Sequence, residues 1–505
     1  MPQLIGPERR FFREQFPQLF WRYEIRHLVI LPFPRTNRGL SGAADARKRS
    51  GPTLAGFMAD IHKGWTRGTI GYRDAQLDSS DFTAAMTLFV AGVPAMVIGS
   101  ELALQGVGLG QMILAAPFGV LIGAFVLGLV GRQAAASGVP SAYLGRAAFG
   151  SIGTMLFSLA RLLLTIAWAA LTLRVAAGWV DASLATWDLS FNNWGIVVII
   201  ALLALGAFLP GPVWAVAQLL RRRVFLIAIV VLLVATWRVL LGSDPVSSNP
   251  ATGGFFETVD AVFGLAILWA VVGGDFGGYG KREEETATGL GYGFIVSGLV
   301  FVMAGAALTQ RLGGPPTDLL LFGAGTAGAV LALIWVPLME VDGLGGLNAS
   351  STWSVETLVP GIPPRILYVL VTGASVAGSV LVSPDVLRSA ADVALSLVAP
   401  GLGVLLIDAY VMRGGAHSAD ELVRWKSDYG WLNPFGFFSW VVGAAVTLWL
   451  RPKSDVVRDW LPSWPGDGPA GLPGLLIGCA IGSVVYFVIG RLIFSASGRV
   501  YRLRF

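Results

Sequence analysis

Long stretches without a charged side chain recur along this chain, and they restrict its fold more than any other feature. Gly195–Pro210 and Leu226–Thr236 carry no charge at all. Only 13% of the 505 residues are charged, too few to cover a soluble protein of this length. Lipid must replace water as the solvent for much of the surface, where only helices and closed barrels satisfy the backbone. Apolar runs of about 20 residues select helices. The 65 glycines would weaken water-exposed helices, but in a membrane small residues let helix backbones approach closely. The reading is an all-α integral membrane protein.

Twelve spans are predicted, near 83–104, 108–131, 153–180, 193–213, 223–242, 259–280, 289–309, 318–345, 365–385, 391–413, 434–450 and 471–495. Residues 1–82 form a polar tail rich in Arg and aromatics. Its Phe11, Phe12, Phe16, Phe20 and Trp21 suit either a helix lying on the membrane surface or a cytoplasmic cap on the helix ends. No cleavable signal peptide is expected, because Arg9, Arg10, Arg13 and Glu14 interrupt the first apolar run. Lys and Arg concentrate in the tail, in alternate loops such as Arg221–Arg223 and Lys281–Arg282, and at the C-terminus, residues 496–505. The positive-inside rule therefore puts both termini of a multi-pass protein in the cytoplasm, with the plasma membrane as the expected location. The loop at 451–470 is an exception, its three basic residues being offset by three Asp.

Span 1 reads Phe89-Val90-Ala91-Gly92-Val93-Pro94, and span 6 contains Val272-Gly273-Gly274-Asp275. Both are apolar segments interrupted by Gly or Pro, and they lie five spans apart. That is the pattern of an inverted repeat whose broken helices expose backbone groups to substrate and ion.

Further segments carry a family resemblance. Gly131-Arg132, Ser137-Gly138-Val139-Pro140 and Arg146-Ala147-Ala148-Phe149-Gly150 resemble the loop after span 2 of nucleobase:cation symporter family one. Arg161 and Trp168 resemble its third span, and Asp275-Phe276 with Tyr279 and Lys281 resemble the signature closing its sixth, with Gly278 in place of an Arg. Residues 405–413 and 429–433 resemble the end of its tenth span and the approach to its eleventh. The resemblance implies a LeuT-type five-plus-five inverted repeat with discontinuous helices 1 and 6. The core would be residues 83–413, with repeats 83–242 and 259–413, followed by two additional helices in 434–495. It also implies cation-coupled uptake of a purine, pyrimidine, hydantoin, allantoin or related vitamin precursor.

Carried onto this chain, the family's stacking aromatics fall on Trp168 and Trp269. Its amides fall on Thr172 and Asn348, and Gly273 sits at the span 6 interruption. Thr172 departs from the pattern, since a hydroxyl replaces an amide that both donates and accepts. Carbonyls near Gly92 and Val93 correspond to the ion site of span 1. The family's span 8 hydroxyls are missing between Trp335 and Asn348, where Glu340 and Asp342 stand instead. Acids within a span read as functional. Two residues apart on a helix, one is expected to face the bundle and the other to reach the cytoplasmic end; a wet helix end would accommodate both. The coupling ion is left open between H+ and Na+.

No enzyme is expected. Cys479 is the lone cysteine, the histidines at 27, 62 and 417 are dispersed, and Gly323-x-Gly325-x-x-Gly328 lies inside an apolar span with no strand before it. No cofactor or metal site is read, and no nucleic-acid partner; the partners are a small heteroaromatic substrate and lipid. The alternative to a transporter is a transporter-like sensor signalling through the tail. Nothing in the sequence fixes an oligomeric state.

Overall fold

The first described element shows how this chain uses its polar residues. Asp78 accepts from the amides of Ser80 (3.0 Å) and Asp81 (3.1 Å), while Asp81 accepts from the amide of Asp78 (2.9 Å). This reciprocal cap starts α1, Ser79–Val90. The computed structural model describes residues 77–189, 191–211, 254–312, 325–415, 417–425, 428–451, 458, 469 and 471–497. The tail assigned to residues 1–82 (except 77–82), the fifth span at 223–242, most of the 451–470 loop and the C-terminus lie outside the described residues.

After α1 the chain breaks at Ala91–Gly92 and resumes as α2, Val93–Leu104. Gly92 is extended and Pro94 lies in the first turn of α2, where its missing amide hydrogen leaves no bond unmade. The two halves are bent by 48°. The helices α3 (Leu109–Ser137), α4 (Ser141–Ala185) and α5 (Asn193–Phe208) follow. Next come α6 (Phe255–Gly277), α7 (Glu283–Leu312), α8 (Gly325–Leu358) and α9 (Pro364–Leu381). Then α10 (Pro384–Leu406) continues into a π-helical turn, Ile407–Met412. The short α11 (Ala419–Val423) precedes α12 (Pro434–Leu450) and α13 (Gly474–Ser497). Each predicted span except the fifth overlaps a described helix or, for the first, the α1–α2 pair. Among the described residues, seven helices have the length and hydropathy to cross a bilayer, and the bent α1–α2 pair makes an eighth candidate; α5 and α12 are shorter apolar helices.

The sixth span corrects an expectation. α6 runs without interruption from Phe255 to Gly277. Its glycines serve close approach instead of a break. A Cβ on Gly273 would meet Leu127 Cδ1 at 2.8 Å, and one on Gly277 would meet the Gly131 carbonyl oxygen at 2.8 Å, both on α3. On α3, Gly119 and Gly123 return the contact, facing Val259 and Ala266 of α6. The opposite face of α3 exposes Leu114, Phe118, Leu121 and Phe125, a helical stripe suited to lipid.

The third span also differs, starting at Ser141. Gly150 (φ 74°) kinks α4, so that Ser141–Phe149 forms a separate segment before the span proper. At this kink the chain is braced by a distant segment. Ser151 N donates to Gly430 O (3.1 Å), Ile152 N to Trp431 O (2.8 Å) and Asn433 N to Phe149 O (2.9 Å). A Cβ on Gly150 would lie 2.8 Å from the Leu432 backbone.

Candidate functional site

Three of the polar places among the described residues are candidate sites. The first surrounds the α1–α2 break. Glu340 of α8 lies against it, for a Cβ on Gly92 would sit 2.8 Å from Glu340 Oε1. Gly343 and Gly346 then bring α8 along Phe89, a Cβ on Gly343 lying 3.3 Å from the Phe89 carbonyl oxygen. Glu340 and Asp342 are both buried, so neither occupies a wet helix end. The carbonyl end of α1 and the Glu340 carboxyl thus share one low-dielectric neighbourhood, an arrangement suited to a cation or a proton. Val93 follows Gly92 as the first residue of α2.

The second place is centred on Asp275. Oδ1 accepts from Ser141 Oγ (2.8 Å) and the Ala142 amide (2.9 Å); Oδ2 accepts from Arg161 Nη2 (2.6 Å) and Ser350 Oγ (2.5 Å). Asp275 and Arg161 are completely buried. One carboxylate thereby ties α6 to both segments of α4 and to α8. Next to it, Thr165 and Ser351 share a hydroxyl–hydroxyl contact of 2.6 Å. After Asn348, α8 carries hydroxyls at Ser350 and Ser351 that engage α6 and α4. Sequence reasoning noted Arg161 and Asp275 only as motif positions. Their opposite charges in apolar spans were the available signal for an ion pair.

The third place is a cavity of about 710 Å³ between α2, α4, α6 and α10. Its wall includes Pro94 and Val97 of α2, Trp168 and Thr172 of α4, and Gly264 and Leu265 of α6. Glu101, Glu257, Asp260, Arg388, Asp392 and Arg451 also line it. Thr172 is buried, and its hydroxyl has no hydrogen-bond partner among the described residues.

The predicted substrate residues divide between these places. Trp168 and Thr172 line the cavity. Trp269 is buried outside its wall, stacked on Phe89 at 6.1 Å and 11°, and its indole Nε1 lacks a partner among the described residues. Asn348 turns to α9: its Oδ1 accepts from Ser375 Oγ (2.9 Å) and its Nδ2 donates to Thr372 Oγ1 (3.2 Å). Gly273 meets α3. No cluster of metal-ligating side chains occurs among the described residues.

Similarity to known proteins fits this geometry. Residues 80–459 match the family described as permease for cytosine/purines, uracil, thiamine, allantoin. The chain belongs to that family. It is accordingly a multi-pass membrane permease and not an enzyme. No curated protein matches it. Among solved structures, it is similar to Mhp1, a nucleobase-cation-symport-1 family transporter, in a closed conformation with bromovinylhydantoin bound. The TM-score is 0.69 at 15% identity, covering 85% of this chain and 95% of that one. An inward-facing conformation of Mhp1 gives a TM-score of 0.62 at 16% identity, covering 86% and 96%. A substrate-bound, outward-open Na+-coupled sialic acid symporter gives 0.56 at 12%, covering 87% and 95%. These likenesses establish the LeuT-type transporter fold.

Proposed function

We propose that this permease is a cation-coupled symporter importing a small heteroaromatic solute through the plasma membrane, with both termini cytoplasmic. Pro94 carries the reading. It lies just past the α1–α2 break and also in the cavity wall, so the interrupted helix and the chamber are continuous. A ring in the chamber stacks on Trp168 and meets the free hydroxyl of Thr172. Trp269 supplies a further donor beside the break. Gly273 and Asn348 hold α3 and α9 in place around that region. The Mhp1 and sialic acid symporter folds, both from cation-coupled carriers by their titles, support coupling here.

Glu340 and Asp342 handle the ion, which is the proton. The support is the placement of Glu340 against Gly92, the burial of both acids, and the engagement of Ser350 and Ser351 elsewhere. No resident cofactor is required. Uptake of radiolabelled ring solutes into proteoliposomes under imposed gradients tests this. An inward proton gradient should drive accumulation, and Asp342→Asn should abolish it. Sodium-driven uptake that ignores the proton gradient and survives Asp342→Asn would overturn the carboxylate assignment.

A further inference from the structure

We infer that the cavity selects its solute by charge and that the preferred solute is a heteroaromatic cation. The inference rests on the reading of this cavity as the solute chamber.

Among the described residues, four carboxylates line the chamber, those of Glu101, Glu257, Asp260 and Asp392, against two guanidiniums, those of Arg388 and Arg451. Arg388 Nη2 lies 2.5 Å from Glu101 Oε1, a one-to-one pair joining α10 to α2. Arg451 serves two acids: its Nε is 3.6 Å from Asp260 Oδ2 and its Nη1 is 3.5 Å from Asp392 Oδ1. Asp260 also accepts from the amides of Leu475 (2.8 Å) and Leu476 (3.2 Å) at the start of α13, which holds it in place. Glu257 accepts from the Gly254 amide (2.8 Å) and has no ion pair among the described residues. The lining is therefore net acidic within walls of low dielectric, which concentrates solutes of positive charge and repels anions.

The inner wall adds two independent preferences. The hydroxyl of Thr172 is a buried polar group without a partner among the described residues, so it awaits a ligand atom. Trp168 presents an indole, the aromatic side chain that attracts a cation most strongly. A flat ring carrying a positive charge satisfies stacking, hydroxyl and rim at once. A neutral ring satisfies the first two, and an anionic ring opposes the rim.

Two matched pairs of probes isolate charge from shape: thiamine against its neutral isostere 3-deazathiamine, and uracil against its carboxylate derivative orotate. Binding to the purified full-length protein in detergent should favour thiamine over 3-deazathiamine on the order of tenfold. Uracil should bind more tightly than orotate, and both gaps should narrow as salt is added. Two variants should move the thiamine-to-3-deazathiamine ratio in opposite directions. Glu257→Gln removes a negative charge while keeping an acceptor for Gly254, and lowers the ratio; Arg388→Gln removes a positive charge and raises it. A general loss of folding cannot produce opposite signs. Tighter binding of orotate than uracil, or a ratio that neither variant moves, overturns the charge selection. If that happens while uracil binding still depends on Trp168, the chamber reading stands alone. If none of the four probes binds, or Trp168→Ala leaves every affinity unchanged, the chamber reading falls and the inference with it.

Discussion

Asp275 is shut off from the protein surface, so its neighbours must hold its charge. Three side-chain or backbone donors and one guanidinium converge on its two oxygens. Asp275→Ala would leave Arg161 buried without its counter-charge, which costs about 3–5 kcal/mol. Asp275→Asn should cost less, because an acceptor remains. The melting temperature of the detergent-purified protein reads this difference, and the pair Arg161→Met with Asp275→Leu should melt higher than Asp275→Ala alone. If the double variant melts as low as Asp275→Ala, the stranded charge is not the cause. At Trp168, truncation to Ala should weaken solute binding by about 0.5–1.5 kcal/mol of stacking plus the lost burial, measured by titration. His417, in the loop after the π turn, has its pKa pushed down to about 4 by burial, with Arg413 adding to the effect against Asp408. The folded protein thus holds His417 neutral at pH values where the unfolded chain protonates it. Stability is full above about pH 6.5 and declines as pH falls toward 4, by no more than about 3 kcal/mol. His417→Gln should flatten that part of the melting-temperature profile; an unchanged slope would remove His417 as its source.

At the scale of helices, glycine does two jobs that look alike in sequence. At Gly92 it marks a break, but at Gly273 and Gly274 it admits a neighbour. A Cβ on Gly274 would lie 2.5 Å from Val130 Cγ1. The same reasoning applies where α2 crosses α7. A Cβ on Gly99 would lie 1.9 Å from the Val302 carbonyl oxygen, and one on Gly305 would lie 2.1 Å from that of Met96. Either Gly→Ala change should cost about 1–3 kcal/mol by forcing the helices apart. Gly110→Ala, with nothing within 4 Å, should be neutral or slightly stabilising. Equal melting temperatures for all three variants would contradict the packing argument. Span positions were legible because apolar runs and lipid-facing stripes are local patterns. The role of Gly273 was not, since a partner helix decides it. Nor was the turning of Asn348 toward α9, because Thr372 and Ser375 carry no mark in sequence of facing it. Trp168 and Thr172 line the cavity together because a single helical turn fixes their common face. The rim pair Glu101–Arg388 joins helices from opposite halves of the chain, and no local spacing announces it.

For the whole molecule, the brace at Gly150 sets a timetable for assembly. Its partners, Gly430 to Asn433, leave the ribosome only after helices α1 to α10 have been made. Until then the segment before the third span has its backbone groups at Phe149, Ser151 and Ile152 waiting for water or a chaperone to serve them. The early half of the chain is thus inserted but unfinished through most of synthesis, and the late segment closes it like a keystone. A ribosome-tethered chain ending at residue 415, which lacks Cys479, should label readily with a thiol reagent at Ser151→Cys. The chain extended past α12 should resist labelling at the same position. Equal labelling of the two would mean that the junction forms without its distant partner.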